Sequence, residues 1–411
     1  GDVKFLQTSP LYYFDKVMGM VFTYETHVAL KQLAIRKDKK HYIVEDILTG
    51  EFYEMPEVCI WAIELINQGK PLDEVENELL VRYSDEDIDI LDFVSQLLEL
   101  NLASELNGEK ILSSLSEQNK NGFSWLPESL GRFFFNTISS KLYLLLLMAS
   151  AGLILFKPDL FPRYSDLFMF DLMFQNIIAL LLISFFLVIL HEFGHVLAIR
   201  SEGLPAKIEV GNRLFFVVLE TDMSQVWKLP AEKRNKLYLA GMNFDLAVLF
   251  LALAAQLFVS DSTITMGFLK LVVLDTFIRL IYQTAVFMKT DIYYVIENLT
   301  GCYNLMENGR NFLSKWLPFL RVPETETFAG EEKFVRRYAG FYLAGVLLTF
   351  IITAYYYIPQ MIFAVSEIML PGFLEPITSI RFWDSVVFLL QIVLILGLLL
   401  YSWTKKYRLS S

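Results

Sequence analysis

Along the first hundred residues the apolar positions change period. Residues 42–48 and 51–55 are strand-like runs on either side of Thr49-Gly50, which predicts a β-hairpin with a tight turn. From Pro56 onward the apolar residues return at helical spacing in three short blocks. The first carries Val58, Ile60, Trp61, Ile63, Leu65 and Ile66 and stops at Gly69; the second covers 72–83; the third, 88–100, places Ile90, Phe93, Val94, Leu97 and Leu100 on one face. A hairpin followed by three helices is a small α+β, winged-helix-like arrangement.

Beyond residue 126 the polar positions thin out and long apolar runs take over. Six are near the ~20 residues that a bilayer needs: 142–156, 174–190, 237–259, 267–288, 338–358 and 383–403. The first is short and is expected to extend upstream through 133–140. The predicted fold is mainly α: a polytopic membrane protein with a cytosolic domain over 1–120 and a six-helix domain over 121–411. Gly340 and Ala344 have the spacing of a helix-packing pair. The charged stretch 324–337 reads as a connector, and Lys37, Lys39 and Lys40 as a solvated loop.

Composition supports the membrane reading, with 55% hydrophobic residues and a mean hydropathy of +0.43. The net charge of −11 is concentrated at one end: residues 1–130 hold 11 Lys and Arg against 24 Asp and Glu. That balance argues against a nucleic-acid partner and fits either a solvated acidic face, the commoner case, or a basic or amphipathic peptide partner. Cys59 and Cys302 lie in segments of different character and are expected as reduced thiols. No cleavable signal pattern opens the chain, so internal helices are expected to drive insertion. Basic residues cluster after spans two and four, including Arg200, Lys207, Lys233, Arg234, Lys289, Arg310 and Arg337, while the opposite loops are nearly bare. Both termini are therefore expected in the cytoplasm.

His191-Glu192-Phe193-Gly194-His195 follows the second apolar run directly. Residues four apart share a helix face, so His191 and His195 can ligate one Zn²⁺ while Glu192 points at water in the fourth position. A charged side chain in an apolar helix is costly and is usually retained for chemistry. The other histidines, His27 and His41, lie far upstream, so a carboxylate is expected as third ligand. Spans two and four should end at similar depth, and Asp291 stands at the end of span four. Asp245, inside span three, is the alternative: a ligand, an acceptor for a ligating imidazole, or a packing residue. Asp275 would lie about 24 Å from Asp291 along a helix and is expected to pair with Arg279.

Two resemblances follow from these residues. The hairpin and helices over roughly 40–105 resemble the PqqD-like domains, which hold the leader peptides of ribosomally made, modified peptides. The membrane H-E-x-x-H with a distant aspartate resembles the site-2 protease family of intramembrane zinc metalloproteases. It is most similar to the peptide zinc metalloprotease branch found beside modified-peptide and bacteriocin systems. Met288-Lys289-Thr290-Asp291-Ile292-Tyr293-Tyr294 resembles that family's Leu-Asp-Gly-Tyr segment, and Leu239-Ala240-Gly241-Met242 its Ala-Gly-Pro turn. Ile292 stands where glycine is usual and Met242 where proline is usual.

The resemblance implies Zn²⁺ held by His191, His195 and Asp291, with Glu192 as general base. It implies a multi-pass bacterial cell-membrane endopeptidase acting on a precursor peptide or membrane-associated precursor, with peptide-maturation or export proteins as further partners. Residues 208–219 look like a second hairpin whose edge could hold an extended substrate, or which simply caps the membrane face. Leu214, Phe216 and Val218 there, and Tyr53 and Phe93 in the N-terminal module, are candidate substrate contacts. The alternatives are a non-proteolytic export, immunity or binding protein that keeps the fold, and cleavage of a membrane-bound signalling factor.

Overall fold

The computed structural model describes residues 4–5, 22–39, 41–84, 87–111, 122–213, 216–260, 263–302, 304–317 and 331–409. The chain forms two compact units. One comprises Gly1–Gly122, Asp222–Asn235 and Ile296–Ala339; the other comprises Phe123–Thr221, Lys236–Val295 and Gly340–Ser411.

The first unit opens with β1 (Lys4–Phe5), β2 (Val28–Leu30), β3 (Leu33–Asp38), β4 (His41–Asp46) and β5 (Phe52–Met55). Helices α1 (Glu57–Asn67), α2 (Leu72–Arg82) and α3 (Ile90–Glu99) follow, then β6 (Ala103–Leu106) and β7 (Glu109–Lys110). The expected hairpin is β4–β5, antiparallel with Val44 opposite Tyr53, and its turn places Gly50 at φ +68°, which suits glycine. Two further strands join it, giving the order β1-β5-β4-β3. The strand β3 replaces part of the expected basic loop: Lys37 lies over the Tyr42 ring, and Lys39 donates to the carbonyls of Asn298 and Leu299. Lys40 lies outside the described residues.

The three helices form where helical spacing predicts them. Gly69, at φ +81°, follows α1, and the Asp89 side chain caps α3 by accepting from the Asp92 N–H at 3.0 Å. Val44, Met55, Ile63, Leu72, Val94 and Leu97 form the core between sheet and helices.

Residues from outside the N-terminal stretch complete this unit. Arg234 is fully buried, donates to Asp38 at 2.7 Å and stacks over Trp227, which packs on Ile43 and Phe52. Glu54 is 3% exposed, and His41 Nε2 lies 3.8 Å from Glu54 Oε1 and 3.7 Å from Glu331 Oε1. Burial, then the charges of Glu331 and Asp38, push the Glu54 carboxyl up to about 9. Of the expected connector, 324–330 lie outside the described residues.

The remaining elements are α4 (Glu128–Phe134), α5 (Thr137–Phe156), α6 (Met173–Ser201), β8 (Ile208–Arg213), β9 (Phe216–Thr221), α7 (Ala231–Tyr238), α8 (Ala240–Gln256) and α9 (Ile264–Tyr282). They continue with α10 (Asp291–Thr300), α11 (Leu305–Ser314), α12 (Glu332–Ile352), α13 (Ile358–Phe363), α14 (Leu370–Phe373) and α15 (Ile380–Leu409). Among the described residues five helical segments are long and apolar enough to cross a membrane: Thr137–Phe156, Met173–Ser201, Ala231–Gln256, Glu332–Phe373 and Ile380–Leu398. Six were expected. The missing one is α9, which forms as a helix but carries Lys270, Asp275 and Arg279. It also ends at Tyr282, so the expected run to Met288 is interrupted.

The first of these long apolar helices begins at Thr137, because Asn136 accepts from the N–H groups of Ile138 and Ser139 and starts a new helix there. Segment Glu332–Phe373 contains wide π turns at Thr353–Tyr357 and Ala364–Met369, just before Pro359 and Pro371, whose missing N–H and ring bulk disturb the α pattern. A Cβ at Gly340 would meet nothing within 4 Å, so this glycine does not mark the helix contact expected of it.

The helix carrying the motif is fixed at both ends. Asp384 accepts from the N–H groups of Met173 and Phe174 at 2.7 and 2.9 Å, supplying the cap that α6 lacks locally. At the other end Arg200 binds the carbonyls of Leu126, Leu204 and Ser124. Gly131 of α4 lets that helix approach closely, since a Cβ there would come within 2.3 Å of the Leu197 carbonyl oxygen.

Candidate metal centre

His191 and His195 are one helical turn apart on α6, 7% and 4% exposed. Their Nε2 atoms are 3.3 Å apart. Asp291, the first residue of α10, brings Oδ2 to 3.2 Å from His191 Nε2 and 3.4 Å from His195 Nε2. Ligands of a tetrahedral Zn²⁺ at ~2.0–2.2 Å lie roughly 3.3–3.5 Å from one another, so these three atoms match one such cation. Asp291 Oδ2 is buried without a hydrogen-bond partner of good geometry, an oxygen that a cation shared with the two Nε2 atoms would satisfy.

The outer nitrogens settle which tautomer each ring carries. His195 Nδ1 lies 2.9 Å from the Leu237 carbonyl oxygen, which can only accept, so Nδ1 holds the hydrogen and a neutral ring leaves Nε2 as a lone pair. His191 Nδ1 lies 2.8 Å from Asp245 Oδ2 with the same consequence. Asp245, 2% exposed, is therefore an acceptor that orients an imidazole, the second of the roles open to it from sequence.

Glycines make this geometry possible. A Cβ at Gly241 would stand 2.4 Å from His191 Nε2, and one at Gly194 would stand 2.8 Å from the Ala240 carbonyl oxygen. Both positions let α6 and α8 approach until the ring packs on backbone. Leu239 separates α7 from α8, and Met242 sits within the first turn of α8.

The approach to Asp291 differs from the expected end of a long span. Lys289 adopts φ +51° in the turn after α9, and Gln283 accepts from the Thr290 hydroxyl at 2.7 Å through its carbonyl and from the Asp291 N–H at 3.0 Å through its side chain. These bonds fix the start of α10 with Ile292 as its second residue. Asp275 pairs with Arg279 as expected and accepts from Ser184, so its oxygens are engaged elsewhere.

Glu192, beside the two imidazoles in sequence, stays outside this cluster and is partly exposed. Its Oε2 accepts from the backbone N–H of Thr221 at 2.8 Å and from the Thr221 hydroxyl at 2.7 Å. Thr221 ends β9, which pairs with β8 in the expected hairpin, Gly211 opposite Val218 and Arg213 opposite Phe216. Val218 is half-buried on β9, Phe216 lies on the same strand, and Leu214 falls outside the described residues.

In the first unit, Phe93 lines a cleft of about 340 Å³ with Glu54, Pro56, Cys59, Asp87, Asp89, Asp92 and Gln96. Tyr53 does not reach a ligand: it is fully buried and donates its hydroxyl to Glu51 at 2.7 Å. The outer edge of β5 is paired in parallel with Lys4 and Phe5 at Tyr53 and Glu54, so the hairpin that carries Tyr53 is covered there by the chain itself.

The sequence pattern names His191, His195, Asp291 and Glu192, and Gly241 only as part of the turn at 239–242; Thr221, Gln283 and the Leu237 carbonyl carry no pattern that a sequence could announce. No known protein family, curated protein sequence or solved structure matches this chain.

Proposed function

We propose that this protein is an intramembrane zinc endopeptidase that cleaves a peptide or membrane-associated precursor, the maturation of a ribosomally made peptide being the reading favoured by the N-terminal module. The observation that carries it is the cluster of His191 Nε2, His195 Nε2 and Asp291 Oδ2, mutually 3.2–3.4 Å apart, with Glu192 alongside. The apolar segments support a multi-pass location, and the distribution of Lys and Arg supports cytoplasmic termini.

His191, His195 and Asp291 would hold the ion, Asp245 and the Leu237 carbonyl keeping both Nε2 lone pairs turned inward. Zn²⁺ bound there supplies a Lewis acid that lowers the pKa of water and polarises a carbonyl. Glu192 takes the proton of the attacking water and returns it to the leaving amine nitrogen. Because a helix hides its carbonyls in hydrogen bonds, the substrate must be locally extended, and the β8–β9 hairpin offers an edge on which an extended segment can pair. The acidic cleft lined by Asp87, Asp92 and Phe93 suits a leader with basic and apolar residues.

Full-length protein incubated with precursor peptides encoded nearby, with products mapped by mass spectrometry, tests this reading. Cleavage by wild type, abolished by a chelator and by Glu192→Gln, is expected. Metal-bound protein that leaves every precursor intact would favour a binding or export role.

A further inference from the structure

We infer that Thr221 is the positioning residue for the general base: it selects which oxygen of Glu192 meets water and joins the base to the β8–β9 hairpin. The inference rests on the protease reading above and adds a second residue to its proton-transfer machinery.

Thr221 is 7% exposed and sends two donors to one oxygen, its N–H at 2.8 Å and its hydroxyl at 2.7 Å from Glu192 Oε2. The hydroxyl oxygen also lies 3.2 Å from the Glu192 backbone carbonyl, but a hydroxyl has one proton, and the shorter contact to a carboxylate takes it. Oε2 is thereby occupied from one side by a single residue. Among the described residues Oε1 accepts no hydrogen bond and keeps its lone pairs, and the carboxylate cannot rotate to exchange the two oxygens without breaking both bonds.

The same bonds act along the chain. Thr221 is the last residue of β9 and pairs with Ile208, the first of β8, so the base is bonded to the open end of the hairpin. A segment added to either edge of that two-stranded sheet would lie one or two strand spacings, roughly 5–10 Å, from the strand that holds Glu192. Any displacement of the hairpin on pairing is delivered to the carboxylate through Thr221, and a seated substrate finds the base already oriented. Because both donors converge on one oxygen, they fix the rotation of the carboxylate as well as its position, which a single bond would not do.

The test compares Thr221→Val, which keeps the backbone donor and the shape but removes the hydroxyl, with Thr221→Ser, which restores it, in full-length protein. Both variants should bind the same equivalents of Zn²⁺ or Co²⁺ as wild type. Loss of one charge-assisted bond should lower kcat of Thr221→Val about 10- to 100-fold with KM within about twofold, and Thr221→Ser should recover most of it.

The visible band of the Co²⁺ form gives a readout independent of turnover: it should move in Thr221→Val towards that of Glu192→Gln and stay at the wild-type position in Thr221→Ser. A Thr221→Val enzyme with wild-type kcat, a serine variant as slow as the valine one, or metal loss from Thr221→Val would each overturn the positioning role. If wild type itself cleaves nothing while the cobalt band responds as described, the protease reading fails and the Thr221–Glu192 coupling stands. A wild type that binds no cobalt ends both.

Discussion

Gly241→Ala adds one methyl group at the tightest point of the candidate metal centre. The new Cβ would stand 2.4 Å from His191 Nε2 and 2.6 Å from Cδ2 and Cε1, where ordinary contacts need about 3.5 Å. Either the ring or α8 must therefore give way by about 1 Å. A ring shift breaks the 3.2 and 3.3 Å spacings to Asp291 and His195, and a retreat of α8 stretches the 2.8 Å bond from His191 Nδ1 to Asp245. Metal sites tolerate errors of about 0.2 Å in ligand distance, so neither adjustment is harmless. Overpacking of this kind costs about 1–3 kcal/mol, which corresponds to roughly 5- to 150-fold weaker zinc binding. Competition titration against a chromophoric chelator measures it, with far-UV circular dichroism showing that the helices persist. Gly340→Ala, whose Cβ meets nothing, is the control and should bind zinc as wild type does. Wild-type affinity in Gly241→Ala would refute the packing argument and with it the assignment of His191 Nε2 as the inward atom.

Asp245→Asn keeps an acceptor beside His191 Nδ1 but removes its charge; zinc affinity should fall about 10-fold or more in the same titration, while total loss would make Asp245 a ligand. Glu54 ionises near 4.5 when unfolded and near 9 when folded, so between these values the unfolded chain loses its proton first and rising pH destabilises the first unit by up to ~1.4 kcal/mol per unit. Protection factors of the β5 amides, taken relative to the intrinsic base-catalysed exchange rate, should accordingly fall from pH 6 to pH 8 in wild type and change less in Glu54→Gln. Asp87→Lys combined with Asp92→Lys reverses charge at the rim of the Phe93 cleft without touching the Asp89 cap; KM for a precursor with a basic leader should rise several-fold with kcat unchanged, and an unchanged KM would remove the cleft from substrate capture.

What was legible in the sequence is what periodicity and fixed spacing encode. The β4–β5 hairpin announced itself through Thr49-Gly50, and α1 to α3 through their apolar faces. The grouping of His191, His195 and Asp291 was legible because i,i+4 histidines share a helix face and a carboxylate was expected as their third partner. Tyr53 was misplaced because β5 is buried on both faces, which erases the period-two signal that separates core from groove. The strand β3 hid in a charged run with a single buried position, Asp38, held by an arginine 196 residues away. That distance also explains why a boundary near 120 missed the contributions of Asp222–Asn235 and Ile296–Ala339 to the first unit. Deleting residues 1–115 would remove Asp38 from Arg234 and Ile43 and Phe52 from Trp227, so point changes in the cleft test recognition more cleanly than truncation.

Whether His191, His195 and Asp291 together hold one Zn²⁺ beside a base that is not itself a ligand is decided by zinc content per chain, measured side by side on the purified wild type, Asp291→Ala and Glu192→Gln proteins. One equivalent in wild type and in Glu192→Gln, with most of it lost from Asp291→Ala, is the expected result. Full zinc in Asp291→Ala, or none in wild type, would contradict it.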